Sequence, residues 1–144
     1  MARSIQPDYA ALEIPTDAWS EPFWQAGSEG RLVFPRCRNC GTFRWPAGPF
    51  CPDCQTQEVD WVPAGQGRIY SYTVLPDRFD VTKFRVPALV EFAAAPGVRL
   101  VSALVDAPAE HIIIGATVDV RWVPAANFSV PVFVPSPPGK DRTF

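Results

Sequence analysis

Four cysteines, Cys37, Cys40, Cys51 and Cys54, fall within eighteen residues as two Cys-x-x-Cys pairs, and they are all the cysteine in this 144-residue chain. Each pair puts two thiolates on one tight turn, and two such turns can close a tetrahedral four-sulfur shell around a metal ion. Gly41, directly after Cys40, suits the positive φ that lets backbone N–H groups aim at the sulfurs. Ten residues separate the pairs, fewer than the roughly 15–20 of the common spacing, which implies a short ribbon with two knuckles. The spacing favours structural Zn²⁺. The alternatives are a pair of disulfides, which would need an oxidising compartment, and iron in a similar thiolate shell. The N-terminal run MARSIQPDYAALEIP carries no apolar signal core, which argues against the first. A catalytic zinc keeps an open position, and four cysteines leave none, so the metal is expected to hold the fold together. No thiol then remains to act as a nucleophile.

The length suits one domain. A hydrophobic content of 47% against 19% charged residues places the chain among globular proteins. The net charge of −2 argues against non-specific nucleic-acid binding, which depends on an excess of Lys and Arg to neutralise phosphates. No apolar run approaches the roughly 20 residues that span a bilayer, so a soluble, cytoplasmic protein is expected. Seventeen prolines disfavour long helices and point to β structure with many turns.

Residues 1–16 have no hydrophobic period and read as an irregular arm. Residues 17–27 read as one short helix, with Ser20 as N-cap, Pro22 in the first turn and Gly27 at the end. Trp19, Phe23 and Trp24 share one face of it. That face either packs on the protein's own core or docks onto a partner. The ribbon follows. Beyond it, 68–75, 88–92, 98–105, 118–123 and 130–134 are rich in β-branched and aromatic residues and read as five strands. The prolines of the last are expected to confine it to a sheet edge. The implied organisation is an arm and helix over 1–30, a zinc ribbon over 31–62, a barrel over 63–136 and a mobile tail over 137–144. Five strands suit an OB-fold, and an SH3-like barrel or small sandwich fits the pattern almost as well.

The order of motifs brings in a resemblance. The run RLVFPRCRNCG at 31–41 resembles a "GRL…PRCxxCG" start to a ribbon, and Trp45-Pro46 with the CPDC of 51–54 resembles its "FPP…CPxC" second knuckle. The run GQGRIYSYTV at 65–74 resembles a "GxGxVYSYTV" first barrel strand, and PALVEF at 87–92 followed by GVRL at 97–100 resembles the next hairpin. Together these resemble a family that joins an N-terminal helix, a rubredoxin-like zinc ribbon and an OB-fold, long listed as a domain of unknown function. Its members commonly accompany thiolases, thiolase-like lipid-transfer enzymes and acyl-CoA aldolases as small non-catalytic subunits. The resemblance implies a mainly β chain that acts as an accessory subunit of such a complex, in lipid, steroid or aromatic degradation, supporting assembly or offering a surface to an acyl-CoA thioester. The run Ala93-Ala94-Ala95-Pro96-Gly97 stands where a more acidic hairpin turn is usual, so no polar side-chain contact is expected of this turn.

No catalytic residue is assigned. His111 is the only histidine, and no serine or cysteine with an orienting acid announces itself beside it. Asp77, Asp80, Glu91, Asp106 and Glu110 are dispersed. Thiolase-type chemistry needs an activated cysteine, which would have to come from another chain. Arg31, Arg36, Arg38 and Arg44 cluster around the first cysteine pair, where they either offset the formal charge of about −2 on a Zn²⁺–thiolate centre or meet CoA phosphates or a partner. The loop 77–85, with Phe79, Lys83, Phe84 and Arg85, is a second candidate contact surface for CoA or partner. A different class of function, single-stranded nucleic-acid recognition, would use Tyr70, Tyr72 and Phe92 as stacking platforms. A free-standing enzyme or redox carrier is a third. Removing the metal is expected to unravel the ribbon and leave the barrel, whose core is read as separate.

Overall fold

The computed structural model describes residues 2–137. The tail expected to be mobile, 137–144, lies outside the described residues apart from Pro137. The helix α1 spans Glu21–Ser28. Its start is organised from outside: the Asp17 carboxylate accepts the N–H groups of Trp19 and Ser20, and the Ser20 hydroxyl accepts the N–H of Asp17. Ser20 stands at the N-cap position, where its carbonyl accepts the N–H groups of Phe23 and Trp24 but its hydroxyl makes no cap bond. Its end differs from the sequence expectation. Gly30 (φ +75°), not Gly27, is the terminating glycine, with Gly30 N–H bonding Gly27 O and Arg31 N–H bonding Ala26 O. This double bond pattern needs a left-handed residue, which glycine adopts without a Cβ penalty. Gly27 instead lets the Trp122 ring approach: a Cβ there would lie 2.7 Å from its Cζ3.

Strands β1 (Val33–Cys37) and β2 (Val59–Pro63) pair antiparallel and hold the cysteine knuckles between them. The rest of the chain carries β3 (Gly67–Tyr72), β4 (Leu75–Pro76), β5 (Phe84–Phe92), β6 (Arg99–Leu104), a 3₁₀ turn at Ala109–His111, β7 (Thr117–Pro124) and β8 (Ser129–Pro135). The chain is mainly β with one short helix. Strands β3, β5, β6, β8 and β7 close a five-stranded barrel, because β3 pairs with both β5 and β7. Among the described residues no helix is long and apolar enough to cross a membrane.

Strand β8 is not an edge strand. It pairs along its length with β7 and meets β6 in parallel at Leu104 and Phe133. The prolines fit because of which way the backbone turns. Val105 N–H bonds Phe133 O, and the Ser102 hydroxyl bonds Pro131 O, so the odd-numbered residues of β8 face β6. There the ladder is a single bridge, and the N–H that Pro131 lacks is missing from a short seam, not from the long β7 ladder. Strand β5 also starts earlier than its sequence suggests and includes Pro87.

One main hydrophobic core joins the helix, the ribbon and the barrel, beside a small second cluster of Val105, Val123 and Val132. Phe23 of α1, Phe34 of β1 and the barrel residues Ile69, Phe92, Leu104 and Phe133 are buried in one cluster. Phe34 packs against Phe23, Trp45 and Phe92, and Phe92 against Phe133. The expectation of a separate barrel core is therefore corrected. The ribbon is too small to bury its own aromatics, so they are shared with the barrel. The N-terminal arm is anchored: the buried Ser4 accepts Ala107 N–H on its hydroxyl, and Asn127 bonds Ile14 in both directions.

Candidate metal centre

The four Sγ atoms all lie within 4.8 Å of one another. Cys37 and Cys54 approach to 3.5 Å, as do Cys40 and Cys51. A tetrahedron with metal–sulfur bonds of about 2.3 Å has sulfur–sulfur edges of about 3.8 Å, so the thiols are already near the vertices of such a shell. All four are free cysteines.

The two knuckles repeat one local design. In the first, Cys37 N–H bonds Thr42 O and Gly41 N–H bonds Cys37 O; in the second, Cys51 N–H bonds Thr56 O and Gln55 N–H bonds Cys51 O. The residue after each second cysteine is left-handed, Gly41 at φ +81° and Gln55 at φ +65°. A threonine follows each. The Thr56 hydroxyl lies 3.3 Å from Cys37 Sγ and 3.2 Å from Cys54 Sγ. Thr42 contacts Cys40 at 3.4 Å and donates to Asp53, which ties the first knuckle to the second. Sequence reading missed both threonines, although the repeat Cys-x-x-Cys-x-Thr was visible in it.

These hydroxyls set the charge of the thiols. The Thr56 hydroxyl, ahead of Asn39 and the Thr56 backbone, holds the Cys54 thiol down to about 5, and Thr56 is also the first cause lowering Cys37. Cys40 moves the other way. The Thr42 hydroxyl and N–H lower it, but the sulfurs of Cys51 and Cys54 together with burial outweigh them. The site thus favours some thiolates and resists a full set, which is what four converging sulfurs do until a cation offsets their charge.

Arg44 is not a surface cation. It is 5% exposed, and its guanidinium donates to the carbonyls of Gly48, Gln57 and Thr56 beneath the second knuckle. As a CoA or partner contact it is corrected: burial and three backbone acceptors commit it to holding the ribbon. Arg38 pairs with Asp60 at 3.0 Å and Arg31 with Glu29 at 2.8 Å, both exposed. Arg36 is exposed on β1. Lys83 lies 3.9 Å from Asp80, and Arg85 is exposed opposite Leu75. His111 is exposed in its 3₁₀ turn.

The structure separates the three aromatics read as one helix face: Phe23 and Trp24 lie in α1, whereas Trp19 stands in the turn before it, so the shared face is corrected. Phe23 is 2% exposed and belongs to the core, so its side chain is not a docking element. Trp24 is half-buried against Phe23 and Phe128. Trp19 is exposed and lines a groove of about 330 Å³ with Pro22, Pro35 and Trp61. Of the three proposed stacking residues, Phe92 is buried, and Arg99 sits 3.9 Å over the ring of Tyr70. The turn at 93–97 is held by backbone alone, Ala93 N–H to Gln66 O and Ala94 N–H to Ala64 O.

Residues 24–60 match the family model for the rubredoxin-like zinc ribbon domain of ChsH2, and residues 61–123 match the C-terminal OB-fold domain of ChsH2. The chain belongs to the ChsH2 family. The structure described as "Ltp2-ChsH2(DUF35) aldolase" contains a chain 35% identical to this one, with a TM-score of 0.72 over 85% of this chain and 98% of that one. A probable enoyl-CoA hydratase alpha subunit of Thermomonospora curvata is 40% identical over 124 residues, or 83% of this chain and 38% of that protein. A DUF35 domain-containing scaffold protein of Methanocaldococcus jannaschii is 32% identical over 93 residues, or 61% of this chain and 64% of that protein. This chain thus spans less than two thirds of the length of each of these curated relatives. Membership of the ChsH2 family agrees with the helix, ribbon and barrel seen here, and with a cysteine set arranged for metal.

Proposed function

We propose that this chain is a non-catalytic accessory subunit of a thiolase-like or acyl-CoA aldolase complex, with Zn²⁺ as a structural ion held by Cys37, Cys40, Cys51 and Cys54. The observation that carries the reading is the match along almost the whole of the ChsH2 chain named with Ltp2 as an aldolase. The metal centre supports it independently. All the chain's thiols converge on one point, so a thiolase-type nucleophile has to come from another subunit. Bound zinc would cross-link the two knuckles and keep no open position for substrate. Exposed cations at Arg36, Arg38, Lys83 and Arg85 are the candidates to meet a CoA phosphate or the partner, with Trp19 as the exposed aromatic beside the ribbon.

The test is recovery of the tagged full-length chain from its native host, with its companions identified by mass spectrometry. A thiolase-family enzyme in fixed stoichiometry is expected, and the isolated zinc-loaded chain should turn over no acyl-CoA thioester. Recovery of the chain alone, or thioester turnover by it, would overturn the reading.

A further inference from the structure

Strand β2 leaves one edge of the ribbon open. Arg38 N–H bonds Glu58 O and Ala64 N–H bonds Leu32 O, so the even-numbered residues of β2 turn their backbone groups to β1. Val59 and Trp61 turn theirs the other way, and Pro63 adds a carbonyl there. The corresponding edge of β1 is closed from within the chain, by Cys37 N–H on Thr42 O and Arg44 N–H on Pro35 O. Among the described residues β2 pairs with β1 alone. Arg38 Nη2 reaches Val59 O at 3.4 Å, but the Val59 N–H and both backbone groups of Trp61 meet no hydrogen-bond partner among them. Strand β1 is buried apart from Arg36, whereas β2 is half-buried from Val59 to Val62 and exposed at Pro63.

Free groups at this spacing specify what can bind them. Donors and acceptors recur every second residue, a pattern that another extended backbone matches. Soluble proteins guard such an edge with lysine, a bulge or a very short strand. Here 59–63 carries no lysine, and its ladder to β1 runs without a register shift. Alternate side chains of an added strand would fall on the face that holds the groove of Trp19, Pro22, Pro35 and Trp61. A second copy of β2 fits the edge poorly in antiparallel pairing. Registers centred at or before Asp60 oppose Asp60 with Asp60 or with Glu58, and like charges directly opposite destabilise a ladder. Registers beyond that set Pro63, which has no N–H, opposite Val59 or Trp61.

We infer that β2 accepts a further strand from the acyl-CoA enzyme with which this chain assembles: an extended segment with no acid opposite Asp60 and an apolar side chain seated between Trp19 and Trp61. The inference rests on the accessory-subunit reading and names the surface, and the backbone conformation of the partner, that the reading leaves open. The backbone ladder supplies the affinity, and the aromatic groove selects the side chain.

The test is amide hydrogen exchange in the full-length, zinc-loaded chain, alone and with the thiolase-family enzyme recovered with it. Alone, Asp60 and Val62 should be protected by β1 while Val59 and Trp61 exchange freely. With the enzyme, Val59 and Trp61 should slow by about tenfold or more. Val59→Pro removes one outward N–H and spares the β1 ladder, as Pro35 and Pro63 already do at their outward positions. With zinc content and circular dichroism unchanged, it should bind the enzyme about tenfold more weakly, the upper range for a lost hydrogen bond. Should that variant fail to fold, the exchange of the wild type still decides. Enzyme binding with Val59 and Trp61 still exchanging freely would overturn the strand pairing and leave the accessory-subunit reading in place. Failure of the wild type to bind would overturn both. Slow exchange at Val59 and Trp61 in the chain alone, lost on dilution, would assign the edge to a second copy and overturn the inference.

Discussion

Phe34 of the ribbon and Phe92 of the barrel lie with ring centroids 5.0 Å apart, Phe34 free of solvent and Phe92 3% exposed. Through this pair the small metal-binding ribbon and the barrel share one core.

Loss of the metal should therefore reach the barrel. Structural zinc contributes apparent binding free energy of about 10–16 kcal/mol in small modules. Cys51→Ser or strong chelation should lower the melting temperature of the whole chain, with the near-ultraviolet aromatic signal and the far-ultraviolet β signal lost in one transition. Phe34→Ala in the metal-loaded chain should cost about 3–5 kcal/mol, the usual cost of emptying a buried aromatic site. Two separated transitions after chelation would restore the idea of independent modules.

Arg44→Met should destabilise the ribbon, because the carbonyls of Gly48, Gln57 and Thr56 lose the donors of a buried guanidinium. Bonds to a charged group are worth about 1.5–3 kcal/mol each before coupling. Arg44→Lys should rescue little, since one ammonium cannot copy the planar fork that reaches Gly48, Gln57 and Thr56 together. The measurement is the rate of zinc release to a chromogenic chelator, expected to rise in both variants.

The pH dependence follows from Cys54. Its folded pKa, about 5, lies below the ordinary 9.0. A depressed acid stabilises the folded state fully above its unfolded pKa, and this is lost as the pH falls through the folded one. The metal-free ribbon should thus weaken from about pH 9 down through about pH 5 on account of this group. Near pH 7, zinc uptake should release fewer than four protons, because Cys54 is already a thiolate. Thr56→Val removes the largest cause of the depression and should raise the proton count, read by uptake in weak buffer. An unchanged count would show that the hydroxyl does not set the thiol's charge.

Two glycines in neighbouring turns should respond for different reasons. Gly27→Ala places a methyl 2.7 Å from the Trp122 ring and should cost about 1–3 kcal/mol through overpacking. Gly30→Ala meets no atom within 4 Å and should cost about 1 kcal/mol through its left-handed backbone alone. Denaturant unfolding with tryptophan fluorescence distinguishes them, since only the first should disturb the emission of the partly buried Trp122.

The spacing of Cys37, Cys40, Cys51 and Cys54 carries the metal centre in the sequence itself. Each pair is brought together by its own turn, and only two local turns need to meet. The five barrel strands are legible for a similar reason: β-branched and aromatic runs with glycine boundaries are local signals. Gly30 as the helix terminator and the Thr42 and Thr56 hydroxyls are local signals too, since each stands within two residues of its cap or knuckle.

The tertiary structure alone decided where side chains with ambiguous roles went. Arg44 carries the same charge as Arg36 and Arg38, yet it is buried because the second knuckle folds its carbonyls over it. Phe23 of α1 and Trp19, four residues before it and ahead of the helix, also part ways: the ribbon covers the first and leaves the second at the surface. Strand β8 became a closing strand despite its prolines because its odd-numbered backbone groups face the short seam to β6. Sequence reports which groups are present and which near neighbours they have. Burial, pairing partner and direction depend on residues tens of positions away, which only the closed barrel brings into contact.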